Sequence, residues 1–281
     1  MIMIQLDFKH KVKPAIKLKR SLPQTPELCK LSVYANALNF LGFKAKFGTE
    51  LTPESLLIKV NKERKSNGRK PINPFKNIIP TSDLEQFFKQ CNLGLHKDFS
   101  GAKYMNFDLW KKLVNNKFLI APDHQELYLE PQIEKLYKLL PPNVLKTVIS
   151  GQNFSYKSFI EFYDFTIRYY GPIDEGHVDI VVDLFKENGI KYVVFANLNS
   201  VNNKEHVKVP WNLFSKYLSL DWGGLKKIKD TSVLPSKKEM IKLRKEGELS
   251  KDGFEFSYGL FEVFYKKEQE ETLHKIINEF V

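Results

Sequence analysis

The sequence predicts an α+β fold, with two domains behind a short basic arm. Three observations carry that expectation. From Thr81 to Pro131 the apolar spacing passes from a helical period to a strand-like run, in the order helix, loop, helix, strand, turn, strand. From Asp174 to Ala196 a helical pattern ends at Asn188-Gly189 and meets the apolar run Ile190–Ala196, the usual joint of a layered α/β or α+β unit. Between the two lies Ser150-Gly151-Gln152-Asn153, a turn-rich break that divides the chain into residues 1–24 (arm), 25–150 and 151–281. A chain of 281 residues has room for two cores, and no run approaches the roughly 18 apolar residues of a membrane helix.

The elements follow in order. Met3–Phe8 and Ala15–Leu18 read as two short strands studded with Lys9, Lys11, Lys13, Lys17, Lys19 and Arg20, either a charged edge hairpin or an arm laid along DNA. Thr25-Pro26-Glu27 is a helix start, with Thr as cap, Pro in the first turn and a carboxylate at the positive dipole end. Leu28, Leu31, Ala35, Leu38 and Leu41 continue it to Gly42. Thr52-Pro53-Glu54 repeats the device for a helix that runs into Lys62-Glu63-Arg64-Lys65 and turns at Asn67-Gly68. Ser82 and Glu85 are spaced as a capping box ahead of the stripe Leu84, Phe87, Phe88, Cys91, with Gly94 as the stop. Asn106 caps a helix carrying Leu109, Trp110, Leu113 and Val114, Phe118–Ile120 is a strand, and Pro122-Asp123-His124-Gln125 is the turn of a hairpin.

Residues 132–150 are helical with a break at Pro141-Pro142, and Tyr156–Tyr170 forms an aromatic-rich helix. Asp174 then caps a helix with Val178, Val181, Leu184 and Phe185 on one side and Glu175, Asp179 and Asp183 on a solvated opposite face. The buried strand Ile190–Ala196 is followed by Val207–Pro210, a helix from Trp211 to Leu218, a hairpin ending at Tyr265 and a last helix, Glu268–Phe280.

The order of elements around Thr81–Pro131 resembles the winged helix-turn-helix superfamily, over about residues 25–131. The resemblance implies a groove-facing helix at 106–116, with Lys103, Lys111 and Lys112 as contacts, and His124 at a wing tip against phosphate. Charge points the same way. Residues 1–131 hold 22 Lys/Arg against 12 Asp/Glu, whereas residues 132–281 hold 22 against 21, so the excess of +11 lies almost wholly in the first part. Phosphate-binding surfaces need such an excess, because released counterions supply much of the affinity. Arg20, Lys62, Arg64, Lys65, Arg69 and Lys70 join the candidate contacts, and Lys70 is also a candidate amine nucleophile. Double-stranded DNA is thus the expected partner and sequence-specific binding the expected function, with self-association into a homodimer left open for the second domain.

The alternative is a DNA-cleaving enzyme of restriction type, or a base-excising lyase. The Val209-Pro210-Trp211 corner after the buried strand loosely resembles the back of a restriction-like nuclease core, but no Asp…Glu-x-Lys sequence accompanies it. His177, read as lying in the first turn of a helix beside Asp174, is the candidate general base, held neutral by burial and the dipole. No metal or cofactor motif is evident. Cys29 and Cys91 lie on apolar helical faces and read as buried free thiols of a reducing compartment. Met1–Leu6 lacks the pattern of a secretory signal, so a cytoplasmic location is expected.

Overall fold

The computed structural model describes residues 9–10, 13–18, 29–43, 48–73, 81–99, 102–125, 132–152, 156–170, 176–196, 206–219 and 261–281. They form an α+β protein around one antiparallel sheet. The strands are β1 (Lys9–His10), β2 (Leu93–Phe99), β3 (Leu119–Gln125), β4 (Gly176–Val178), β5 (Val181–Glu187), β6 (Ile190–Ala196), β7 (His206–Pro210) and β8 (Phe261–Lys266). Their spatial order is β1-β7-β6-β5-β3-β8-β2, with β4 alongside β3. The sheet draws β1, β2 and β3 from one side of the expected boundary near residue 150 and β4 to β8 from the other. That boundary therefore does not separate two sheets. Gly151 is instead a helix cap with φ of 62°, pinned where Asn212 Nδ2 donates to the Ile149 carbonyl (2.9 Å) and Lys216 Nζ to that of Gly151 (2.7 Å).

The helices are α1 (Cys29–Phe40), α2 (Pro53–Ser66), α3 (Thr81–Gln90), α4 (Phe107–Asn115), α5 (Gln132–Leu139), α6 (Pro142–Ser150), α7 (Tyr156–Tyr170) and α9 (Glu270–Phe280), with the short α8 (Trp211–Leu213) running into a π turn, Phe214–Leu218. Capping signals hold at two starts. Thr52 and Ser55 form a reciprocal capping box at α2, and Asn106 Oδ1 accepts from the amides of Asp108 (2.9 Å) and Leu109 (3.3 Å) at α4. The Pro141-Pro142 break separates α5 from α6 as expected. Helix α1 is buried from Leu31 through Leu38, and Tyr34 meets Phe88 and Phe264 edge-on at 5.5 and 5.0 Å, which seats the helix on the sheet.

Several expectations are corrected. Ala15–Leu18 is not a strand; it is a bend whose Ile16 amide bonds the Val182 carbonyl at 2.9 Å. Helix α3 begins at Thr81, a residue before the expected Ser82 cap, and ends at Gln90. Gly94 is no helix stop. It lies in β2 opposite Tyr265, whose ring covers it so closely that a Cβ would come within 2.2 Å of two ring carbons. Pro122–Gln125 is no turn either, because β3 runs straight through it. Proline is tolerated there because β3 pairs with β5 only at Ile120 and with β4 from Asp123 onward, leaving Pro122 at the gap between those partners.

The stretch expected as a helix from Asp174 is instead the strand pair β4 and β5. Val178, Val181 and Val182 are β-branched, and pairing with β3 and β6 satisfies the backbone that a helix would have satisfied internally. Asp174 and Arg20, with Met3–Phe8 and Thr25–Glu27, lie outside the described residues. Among the described residues, no helix is long and apolar enough to cross a membrane.

Candidate active site

The site forms where the first described turn of α1 crosses β4, β3 and β8. Cys29 opens that turn and is half-buried. Backbone amides of Val178 and Lys30 hydrogen-bond its sulfur. The Val178 amide belongs to the peptide bond joining His177 to Val178, so the thiol sits against the backbone of a histidine. Burial is the largest influence on the thiol and raises its pKa. The two amide bonds oppose that rise, while the carboxylates of Asp179 and Asp123 add to it. The outcome is a protonated thiol that needs a base to become a nucleophile.

Four further groups stand on the same face. Ala121 pairs with Glu262 across β3 and β8, and Asp123 follows two residues along β3, so both acids project toward α1. Tyr34 Oη donates to Glu262 Oε1 at 2.7 Å, and Lys30 Nζ lies 3.7 Å from the same oxygen. Glu262 Oε2 is buried with no hydrogen-bond partner among the described residues. Asp123 keeps an open edge to solvent, yet its carboxyl is pushed up to about 6. Desolvation by its surroundings is the main cause, Lys30 opposes it, and Glu262 adds to it. The Tyr34 phenol is raised well above its ordinary value by burial first and then by the charge of Glu262.

His177 therefore lies in a strand and not in a helical first turn, which removes the dipole argument for its neutrality. Its backbone pairs with His124 across β3. His124 is at no wing tip. It is 3% exposed, with its ring 5.6 Å from that of Phe195, and so faces the core where no phosphate can reach. Asp179, expected on a solvated face, is fully buried.

The expected DNA contacts divide into committed and open cations. Arg64 and Arg69 both grip the buried carboxylate of Asp83, with Arg69 Nη1 2.6 Å from Oδ1, and Arg64 Nε donates to the Lys70 carbonyl at 2.7 Å. This closes the Asn67-Gly68 turn onto α3. Lys62, Lys65 and Lys70 are exposed. Helix α4 packs against β3, β5 and α9; Lys111 is half-buried, and Lys112 pairs with Glu279 and lies 5.7 Å over the Phe280 ring. Lys103 is exposed and lies 4.7 Å over the Tyr104 ring. With Lys186, Lys191 and Asp108 it lines a concavity of about 860 Å³ at the start of α4. Lys191 pairs there with Asp108 at 3.4 Å.

Sequence reasoning passed over Cys29, because an apolar helical face is the ordinary home of a structural thiol. A cysteine in an early helical turn and a histidine far along the chain are a signal for a nucleophile–base pair only once the fold joins them. Asp123 was hidden in an expected turn and Glu262 in an expected hairpin strand. Among the described residues, no group of three or more His, Cys, Asp or Glu side chains is arranged to hold a metal ion. No known protein family matches the chain, and no curated protein matches it.

Proposed function

We propose that the protein is a thiol-dependent acyl-transfer enzyme, a hydrolase of amide or ester bonds in which Cys29 is the nucleophile and His177 the general base. The observation that carries the reading is the hydrogen bond from the His177–Val178 peptide amide to the Cys29 sulfur. A buried thiol with a raised pKa is inert alone and becomes reactive when a base takes its proton, the role this reading gives to His177. The thiolate attacks the substrate carbonyl carbon, and the carbonyl electron pair moves onto oxygen. As the tetrahedral species collapses, the leaving amine or alkoxide takes the proton from the imidazolium, and a thioester remains. Water, deprotonated by the same imidazole, then cleaves the thioester and releases a carboxylic acid and the free thiol. A cytoplasmic location fits this reading, because a reducing compartment keeps Cys29 as a thiol.

The test is a stopped-flow burst with a p-nitrophenyl acyl ester, followed by mass spectrometry of the trapped chain. About one nitrophenol per chain should be released in the burst, with the acyl group on Cys29. Cys29→Ser should abolish the burst, and His177→Ala should slow it by about 10²–10⁴-fold. A burst that survives Cys29→Ser, or a His177→Ala variant at the wild-type rate, overturns the reading.

A second reading is favoured by the charge distribution: the basic part up to residue 131 holds double-stranded DNA, through Lys62, Lys65, Lys70 and Lys103 in particular. It supports the DNA-binding function expected above and is compatible with an acyl-transfer site elsewhere on the molecule.

A further inference from the structure

We propose that Asp123 and Glu262 form an acidic subsite beside Cys29 that takes a cationic group of the substrate, an ammonium or guanidinium next to the scissile carbonyl. The inference rests on the acyl-transfer reading and names the substrate class for it. Two independent features carry it. The first is position: Asp123 is the register partner of Val178, whose amide bonds the Cys29 sulfur, and Glu262 pairs with Ala121, two residues before Asp123 on the same strand. The second is the unused acceptor at Glu262 Oε2, buried and without a donor among the described residues.

Lys30 and Tyr34 do not fill this need. Both are engaged at Oε1, the other oxygen of the same carboxylate, at 3.7 and 2.7 Å. Asp123, Glu262 and Lys30 together carry one net negative charge when both acids are ionised. A buried carboxylate oxygen with no donor is costly to the folded protein, and a charge-assisted donor from a ligand removes that cost. Asp123, open to solvent on one edge, supplies the entry side of the subsite. An anionic substrate group would meet two carboxylates and be rejected.

The test reads charge selectivity at Cys29 directly, with thiol reagents of one size and opposite sign. A methanethiosulfonate carrying trimethylammonium and one carrying sulfonate each form a mixed disulfide with the thiolate and release methanesulfinate. Rates at Cys29 are followed by mass spectrometry of its peptide on the full-length chain at pH 8. The cationic-to-anionic ratio is divided by the same ratio for 2-mercaptoethanol. We expect a normalised ratio of about fivefold or more, the order of one unpaired charge acting across a few ångströms of water. Asp123→Asn should bring it most of the way to one, and Glu262→Gln, which keeps an acceptor for Tyr34, should lower it independently. A wild-type ratio at or below one, or a ratio that neither variant changes, overturns the proposal. His177→Ala should slow both reagents equally. Failure of the catalytic reading thus shows in absolute rates, and failure of the acidic subsite shows in the ratio.

Discussion

Tyr34 on α1 donates its phenolic hydrogen to Glu262 on β8 across 228 residues of chain, at 2.7 Å. Both groups are buried, so this bond ties the helix that carries Cys29 to the middle of the sheet. Tyr34→Phe keeps the ring packing on Phe88 and Phe264 and removes only the donor. It should cost about 1.5–3 kcal/mol in urea unfolding, the range for a hydrogen bond to a charged group. A loss below about 0.5 kcal/mol would show that Lys30 alone satisfies the carboxylate.

Asp123 makes stability depend on pH with a defined sign. Its folded pKa of about 6 lies above the ordinary 3.8, so the folded state holds its proton more tightly than the unfolded state does. The stabilisation from this group is complete below about 4 and is lost as pH rises through about 6. Asp123→Asn should therefore match wild type in melting temperature near pH 4 and exceed it at pH 7. A variant equally stable or less stable at both pH values would refute the assignment.

Gly94 has no room for a side chain. Gly94→Ala would force the Tyr265 ring out of place, although that ring is largely buried and its hydroxyl donates to Glu270 at 3.2 Å. Overpacking of this kind costs about 1–3 kcal/mol. Adding Tyr265→Ala to Gly94→Ala should cost less than the sum of the two single changes, as a double-mutant cycle would measure.

The DNA reading makes a quantitative demand. Each phosphate contact contributes about −0.9 to the slope of log affinity against log salt. Changing Lys62, Lys65 and Lys70 together to Ala should make that slope shallower by up to about 3 and leave the melting temperature nearly unchanged, since all three are exposed. A wild-type chain whose binding to a duplex has no salt dependence removes this reading.

The local signals in the sequence were legible where one element decides its own fate. Thr52 and Asn106 cap the helices they were expected to cap, and Ile190–Ala196 is apolar enough to declare a buried strand. The α+β class followed from such segments. What could not be read were choices made by partners. Val178, Val181 and Phe185 fit a helical stripe, and only the ladders to β3 and β6 make them strands. Pro122 and Asp123 look like a turn until a gap between two neighbouring strands admits a proline into the sheet. The site depends on these same ladders. Cys29, the His177–Val178 peptide, Asp123 and Glu262 come from four elements, and no spacing in the chain relates them.

The position of β8 has a consequence for the order in which the protein can assemble. This strand lies between β2 and β3, both made long before it, and it carries the Glu262 anchor of α1. A growing chain on the ribosome therefore holds two strands with unpaired edges until residues 261–266 emerge. The thiol-bearing helix lacks its Glu262 anchor and its Phe264 contact before that moment. Folding must wait on a long-range closure, which is slow by topology. Until then Cys29 is an ordinary solvated thiol, without the burial and the Val178 amide that it meets in the folded protein.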